Sequence, residues 1–453
     1  MKGTLLDKYL ELIKNDINRK TLVTIACKIK IPGYTNHFNR PYIRKNELKK
    51  MIYNSLKNNH LKRSRSVSHI GGGRQKVNYI RRSKSLNNLT QHEFRKLSDI
   101  NGDVLKSIGT HTKMLPKVPR IVAIGDLHGD LRATIRSLKL AGVIPLSTPE
   151  NTNIKNIPWI GGNTVIVQLG DQIDRVRPTH WENDIVQDEI KNDEGSDLKI
   201  INLMDLLNVR AKKEGGAVLS VLGNHELMNV DGDFRYVSLD EFSEFGDMFS
   251  KNKQDYKNEK YPYGYKERLA VFKPGGILAR RLALTRDSVV QVGSWLFVHG
   301  GLTPKLVDKY TLDEINMYIR EWLKNNQSQR VEDVVDDIFR NDDDDFSPFW
   351  SRVFSDHDEW NESRNLYLFN NTINIINKRN GRNRHNYVKG MILGHTPQYM
   401  WNKGINSSFD NRLWRVDVGM SRAFGDLNKN RECRKVQVLE IINDNQFRIL
   451  TEK

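Results

Sequence analysis

Short, continuous apolar runs alternate with segments of helical periodicity along most of the chain. Apolar runs at 120–125, 164–169 and 217–222 predict buried strands, and apolar residues spaced three and four apart predict helices at 131–140 and 198–213. Further strands are predicted at 295–298, 390–393, 413–418, 435–442 and 446–450. Strands that alternate with helices in this way predict an α/β protein with a layered core.

The first quarter of the chain has a different pattern. Residues 1–57 show helical periodicity, whereas 58–90 are rich in Ser, Gly, Asn, Arg and Lys and poor in large apolar residues, which is typical of a flexible linker. We therefore expect a small basic helical module at 1–57, a basic linker at 58–118 and one large domain at 119–453. Within that domain, insertions over the sheet edges are predicted at 176–197, 229–290 and 303–385.

The net charge of +17 comes from this first quarter. Residues 1–120 contain 27 Lys and Arg against 7 Asp and Glu, which leaves 45 basic and 48 acidic residues for the rest of the chain. A basic segment joined to a nearly neutral domain indicates contact with a polyanion, and nucleic acid is the expected partner. A solvated arm without a partner is the alternative.

Two features exclude other classes of protein. No apolar run approaches the ~20 residues that a membrane-spanning helix needs. The first residues contain acids where a signal peptide would have its apolar stretch, so no membrane partner is expected. Cys27 and Cys433 are the two cysteines, which argues against a disulfide framework and fits a reducing, cytoplasmic location. Any metal must therefore be bound through nitrogen and oxygen.

Polar residues next to glycine follow five of the predicted strands. They are Asp126 and His128 after the first strand, Asp171, Asp174 and Arg175 after the second, Asn224, His225 and Glu226 after the third, and His299 and His395 after two later strands. Because ligands of α/β sheets bind at the carboxyl ends of strands, these side chains can share one pocket. Each residue alone could be a turn or cap residue, but the whole set indicates a metal site.

The order of the motifs GDLHG, GDQIDR, GNHE, HGG and GHT resembles the calcineurin-like metallophosphoesterases, and within them the phosphoprotein phosphatases. The segments "FRYVSLDEF", "LFVHGGLTP" and "VDVGMSRAFG" resemble the Shewanella-like protein phosphatases. This resemblance covers residues 120–425. It implies a layered β-sandwich of two mixed sheets flanked by helices, and a phosphatase that acts on phosphoprotein.

The resemblance also implies two divalent metals. The first would be bound by Asp126, His128 and Asp171, and the second by Asp171, Asn224, His299 and His395. Mn²⁺ is the expected metal, with Fe or Zn as alternatives, since carboxylate and imidazole ligands suit all three. Two such ions share a hydroxide that can attack phosphorus, and Asp171 would bridge them.

Four further residues receive roles from the same resemblance. His225 would donate a proton to the leaving alkoxide, oriented by Asp174, while Arg175 and Arg352 would bind the phosphate oxygens. Val176 stands where the family pattern has glycine, so the local shape beside Arg175 is expected to differ.

Two other functions remain open from the sequence. Dinucleoside-polyphosphate hydrolases share the first three motifs, and a nucleic-acid-binding scaffold with an inert core is a second alternative. The complete set of ligands and the acid argues against an inert core.

Overall fold

The computed structural model describes residues 114–177, 193–249, 252–256, 261–341, 346–356, 362–381, 387–425 and 433–453. The helical module expected at 1–57, nearly all of the expected linker, and hence the predicted nucleic-acid contact lie outside these residues and stay predictions. The same holds for most of the predicted insertion at 176–197.

Twelve strands occur among the described residues, in two six-stranded sheets. They are β1 (Met114–Leu115), β2 (Arg120–Ile124), β3 (Val165–Gln168), β4 (Ala217–Val221), β5 (Arg286–Asp287), β6 (Val289–Val292), β7 (Trp295–Val298), β8 (Gly390–Leu393), β9 (Asn406–Ser408), β10 (Leu413–Arg415), β11 (Gln437–Ile442) and β12 (Gln446–Thr451). The order is β1-β6-β7-β8-β10-β9 in the first sheet and β12-β11-β2-β3-β4-β5 in the second.

Helices connect these strands and cover the sheets. They are α1 (Leu131–Leu140), α2 (Asp197–Lys213), α3 (Asn224–Asp231), α4 (Leu239–Met248), α5 (Tyr265–Phe272), α6 (Ile277–Thr285), α7 (Pro304–Lys309), α8 (Leu312–Leu323), α9 (Gln329–Val335) and α10 (Glu362–Arg379). In the part of the chain that the structure describes, no helix combines the length and the apolar character needed to cross a bilayer.

Both sheets are mixed, as the resemblance implied. In the second sheet β2, β3 and β4 run parallel while β11 is antiparallel to β2. In the first sheet β7, β8 and β10 run parallel, while β6 is antiparallel to β7 and β9 is antiparallel to β10. Parallel neighbours carry their carboxyl ends to the same edge. The polar residues that follow β2, β3 and β4, and those that follow β7 and β8, are therefore adjacent within each sheet.

One hydrophobic core joins the two sheets. Ile166 and Val167 of β3 are both completely buried although successive side chains on a strand point to opposite faces, so the second sheet is covered on both sides. The same core includes Phe297 and Ile392 from the first sheet, and Ile135 from α1. This packing confirms the predicted layered α/β core.

The predicted strands are all present, but four strands were missed. β1, β5 and β9 have only two or three residues each, which is too short for an apolar pattern. β5 consists of Arg286 and Asp287, whose charges are buried because Arg286 pairs with Asp205 and Asp287 with Arg320. β5 and β6 lie at the end of the predicted insertion 229–290, whose other described residues are helical or irregular.

Candidate metal centre and active site

Five strand ends from the two sheets bring the predicted metal ligands together. Asp126 and His128 follow β2, Asp171 follows β3, Asn224 begins α3 directly after β4, His299 follows β7 and His395 follows β8. All six side chains are buried. The second sheet therefore supplies four of the six residues and the first sheet supplies two, so the centre lies where the edges of the two sheets meet.

The carboxylate of Asp171 is the point at which three imidazoles converge. The distance to Asp171 Oδ2 is 3.2 Å from His299 Nε2, 3.8 Å from His128 Nε2 and 3.8 Å from His225 Nε2. His299, in turn, lies 2.9 Å from Asn224 Oδ1 through the same nitrogen. Asp171 is thus placed to contact two groups of donors at once, as a bridging ligand would be.

The donor atoms form two groups that share Asp171. In the first, His128, Asp171 and His225 offer ligand atoms that all lie within 4.8 Å of one another; Asp171, His299 and His395 do the same in the second. Asp126 Oδ2 lies 3.8 Å from His128 Nε2, and so extends the first group. The first group thus contains His225 together with two of the residues predicted for the first metal, and the predicted role of each residue stays a prediction.

Backbone carbonyl groups fix which nitrogen of each imidazole faces the centre. His299 Nδ1 is 2.7 Å from the carbonyl oxygen of Leu169, and His128 Nδ1 is 3.3 Å from that of Ile173. A ring that donates its Nδ1–H to a carbonyl leaves the Nε2 lone pair for a cation. Both side chains are therefore oriented as metal ligands.

Hydrogen bonds between loops connect the edges of the two sheets at the centre. The backbone N–H of His395 donates to both oxygens of Asp126, at 3.2 and 3.0 Å, and thereby ties the loop after β8 to the loop after β2. The N–H groups of Asp171, Gln172 and Gly223 donate to Glu226, at 3.0, 2.7 and 2.7 Å. Glu226 therefore joins the loops after β3 and β4 and positions the residues around it.

Four of the site residues have a left-handed backbone. The φ angles are +42° at His128, +49° at Asp171, +73° at Asp174 and +66° at His395. Residues other than glycine rarely adopt this conformation, and strain of this kind is concentrated at functional sites. Glycine is needed beside them: a Cβ atom at Gly223 would lie 2.1 Å from Asp171 Oδ1.

The electrostatics of the centre are those of crowded acids and imidazoles. Burial, and then the charges of Asp417 and Asp171, raise the pKa of Asp126 well above its usual value. Burial acts in the same direction on Asp171, but His299, His225 and His128 hold the pKa of Asp171 well below its usual value. Burial also raises the pKa of Asp417 to about 7.

These residues fit divalent metal ions. Nε2 of His395 is buried and has no hydrogen-bond partner among the described residues, while Nδ1 of the same ring faces His299 Nε2 at 3.1 Å. Asp417 Oδ2 is also buried without a partner there. A cation between the carboxylates and imidazoles would satisfy such atoms and relieve the repulsion that raises the pKa of Asp126. Nitrogen and oxygen donors of this mixture suit Mn, Fe or Zn.

His225 differs from the other imidazoles in the partner of its second nitrogen. Its Nδ1 is 2.8 Å from Asp174 Oδ2, whereas His128 has a carbonyl oxygen in that position. Asp174 thus fixes the orientation of the His225 ring, whose Nε2 faces Asp171 at 3.8 Å. The predicted roles of His225 and Asp174 stay predictions.

Asp174 is itself held by residues that the sequence did not single out. Asn229 Nδ2 donates to both of its oxygens, at 2.9 and 3.0 Å, and Arg268 Nη2 donates to Oδ1 at 3.1 Å. Arg268 is completely buried and lies on α5, within the predicted insertion 229–290. This part of the chain therefore contacts Asp174, the acid beside His225, and does more than cover a sheet edge.

The two predicted phosphate-binding arginines have different surroundings. Arg352 is half-buried and close enough to the centre that, after burial, its charge is the next cause lowering the pKa of His395. Arg175 is 1% exposed, and its Nη1 donates to the carbonyl oxygen of Gly129 at 2.9 Å and to Glu194 Oε1 at 3.3 Å. Arg175 thus lies in a buried network, whereas Arg352 is partly open to solvent.

Comparison with known proteins agrees with this site. The family model of calcineurin-like phosphoesterases matches residues 119–399. Over 360 residues the chain is 31% identical to Shewanella-like protein phosphatase 2 of Arabidopsis thaliana, covering 74% of this chain and 78% of that protein. Over 270 residues it is 37% identical to an uncharacterised protein of Acanthamoeba polyphaga mimivirus, covering 55% of this chain and 98% of that protein.

A solved structure of similar kind is the cold-active protein-tyrosine phosphatase of a psychrophilic Shewanella species. It shares 18% identity, with a TM-score of 0.46 over 76% of this chain and 84% of that chain, a likeness too distant to add to the argument. The family model and the plant relative are enough to assign the family. The chain belongs to the calcineurin-like phosphoesterase family, on the branch of the Shewanella-like protein phosphatases, and is a phosphatase.

Proposed function

We propose that this chain hydrolyses phosphomonoesters of phosphoproteins with two divalent metal ions, Mn²⁺ by preference. The observation that carries the proposal is the convergence of three imidazole nitrogens from separate strand ends on Asp171 Oδ2, within 3.2 to 3.8 Å. Shewanella-like protein phosphatase 2, named for that activity, supports the choice of phosphoprotein over other phosphomonoesters.

Separate residues would bind the metals, donate the proton and bind the phosphate. Asp126, His128 and Asp171 would bind one metal, and Asp171, Asn224, His299 and His395 the other. When bound, two such metals supply the nucleophile from a shared water and neutralise charge on the phosphate oxygens. His225 Nε2, with Asp174 on the opposite nitrogen at 2.8 Å, would donate the proton that the leaving alkoxide needs. The half-buried Arg352 beside His395 would bind phosphate through its guanidinium.

The decisive experiment combines metal analysis with a substrate panel. Purified full-length protein loaded with Mn²⁺ is expected to contain about two metals per chain and to hydrolyse phosphopeptides and p-nitrophenyl phosphate. Excess chelator should abolish this activity and added Mn²⁺ should restore it. Full activity in excess chelator, with no bound metal, would contradict the proposal.

The same panel tests the competing substrate class. Dinucleoside polyphosphates are expected to be turned over far more slowly than phosphopeptides, and the reverse order would favour the alternative hydrolase. Paired phosphoserine and phosphotyrosine peptides of one sequence would then define the side-chain preference.

A further inference from the structure

Arg175, the residue in the expected phosphate-binding position, is occupied by structural contacts. Its Nη1 donates to the carbonyl oxygen of Gly129 and to Glu194, and its backbone N–H donates to Glu241 at 3.1 Å. Glu194 also accepts from Arg422, at 3.0 Å. Arg175 therefore closes a buried network under the loop that follows β2, and a bound phosphate would have to compete with these partners.

Arg177, two residues further on, lies next to the metal centre instead. Its guanidinium carbon is 4.4 Å from the ring centroid of Phe424 and 5.7 Å from that of Tyr236. Each of these rings meets a site residue edge-on: Phe424 meets His128 with centroids 5.2 Å apart, and Tyr236 meets His225 at 4.6 Å. Arg177 is therefore one aromatic ring away from both a predicted ligand and the predicted proton donor.

Backbone contacts fix this position without using a carboxylate. The N–H of Val176 donates to the carbonyl oxygen of Tyr236 at 2.9 Å, and Arg177 Nη1 donates to the carbonyl oxygens of Val176 and Asp174, at 2.8 and 3.4 Å. Within the described ranges Arg177 makes no ion pair, and its side chain is only half-buried. A guanidinium held on aromatic rings beside the centre keeps donors available for an anion.

We propose that Arg177 binds the substrate phosphate in this chain, in the role that the family pattern gives to Arg175, with Phe424 and Tyr236 holding its guanidinium in place. This inference rests on the proposed phosphatase function, and it adds that the clamp is formed by Arg177 and Arg352.

The test uses Arg177→Met and Arg177→Lys in the metal-loaded full-length protein. Arg177→Met is expected to raise the KM for p-nitrophenyl phosphate and the inhibition constant of inorganic phosphate by about 10- to 100-fold, the scale of a lost charge-assisted hydrogen bond. Arg177→Lys should recover part of this loss, and both variants should keep their metal content. Arg448→Met, which removes an exposed arginine from β12, serves as the charge-matched control and should change neither constant.

Binding of inorganic phosphate, measured by calorimetry, separates the possible failures. If the metal-loaded parent protein hydrolyses no phosphomonoester yet binds phosphate through Arg177, the proposed function fails while this inference stands. If the parent protein is active and Arg177→Met binds phosphate as tightly as the parent, the inference is wrong. It is equally wrong if Arg175→Met weakens phosphate binding while Arg177→Met does not, or if the parent binds no phosphate.

Discussion

Two buried clusters of acids lie side by side in this molecule and differ in the origin of their positive charge. The arginine cluster consists of Asp174, Asp197 and Glu241, whose ligand atoms lie within 4.8 Å of one another, around Arg268. Arg268 Nη2 donates to Asp174 Oδ1 at 3.1 Å and to Asp197 Oδ2 at 2.8 Å. Its guanidinium carbon also lies 4.9 Å from the ring centroid of Phe245. In this cluster the chain supplies its own cation.

The metal cluster, by contrast, has no arginine or lysine paired with its carboxylates in the part of the chain that the structure describes. It consists of Asp126, His128, Asp171, Asn224, His299 and His395. Among the described residues, the ion-pair partners of Asp126 and Asp171 are imidazoles, at 3.2 to 3.8 Å. A neutral imidazole does not balance the negative charge of these carboxylates. In the neighbouring cluster, the positive charge of Arg268 does balance the acids.

A group of buried acids therefore indicates a metal only where the fold leaves the negative charge of those acids uncompensated. By donor type alone, both clusters could hold an ion. Asp174 connects them, because it contacts Arg268 in one and His225 at the edge of the other. The arginine cluster therefore places a fixed positive charge behind Asp174, the acid that contacts His225.

The largest effect is expected from Asp171→Asn, which removes the charge that the metal cluster shares. Because three imidazoles converge on Asp171 Oδ2, the variant should lose or weaken both metals together and have no measurable phosphatase activity. Metal content per chain, measured by elemental analysis, checks this. Asp410→Asn, an exposed acid between β9 and β10, is the matched control. Retention of one tightly bound metal would show that Asp171 does not bridge.

The next largest effect is expected from His225→Asn. The variant should keep both metals but lower kcat for an alkyl phosphate by about 10² to 10⁴, the usual scale of general acid catalysis. A nitrophenolate leaves without a proton, so turnover of p-nitrophenyl phosphate should fall much less. Equal losses on the two substrates, or loss of a metal, would make His225 a ligand and not the proton donor.

The sequence predicted most of the metal cluster because each ligand follows an apolar strand and stands in a short motif. Asp126, His128, Asp171 and Asn224 could be placed by the rule that parallel strands share a carboxyl edge, and the structure brings them together as expected. His299 and His395, which also follow predicted strands, were expected in the same pocket, and the family resemblance then divided the six residues between two metals.

The arginine cluster could not be predicted in the same way. Arg268 lies 94 residues from Asp174, on a helix whose other charged residues look like an ordinary solvated face. Local sequence does not reveal that this one guanidinium is buried among three acids. The different surroundings of Arg175 and Arg177 could not be predicted from the sequence for a related reason. Arg175 fits the motif, but its burial depends on contacts with Glu194 and Gly129, which only the tertiary structure brings to it.

A loss of stability is expected from Arg268→Met, which leaves the acids of the arginine cluster without their cation. Breaking a buried ion pair in this way costs about 3–5 kcal/mol in the free energy of unfolding. Activity on an alkyl phosphate should also fall, with a changed pH profile, because Asp174 loses the donor that fixes it behind His225.

The matched control for this prediction is Arg281→Met. Arg281 is a buried arginine that pairs with Asp205 at 2.6 Å, in a cluster that does not include His225 or its partners. Urea denaturation should show a similar loss of stability in both variants, whereas the pH profile of kcat should change in Arg268→Met alone. An unchanged profile in Arg268→Met would reduce the arginine cluster to a structural role.

The smallest effect is expected from Glu241→Gln, and it depends on pH. Burial, and then the charge of Asp197, raise the pKa of Glu241 well above its usual 4.5, so the fold favours the protonated form of this carboxyl group. An acid with a raised folded pKa stabilises the fold fully below its unfolded pKa, and this contribution is lost as the pH rises through the folded value. Gln carries a neutral donor at every pH. The variant should therefore match the parent protein at about pH 5, within about 0.5 kcal/mol, and become the more stable of the two towards about pH 9.

Free energies of unfolding from urea titrations across this range measure the difference, with the surface variant Glu150→Gln as control. If the two curves stay parallel, Glu241 is ionised in the fold, and Arg268 balances three negative charges and not two.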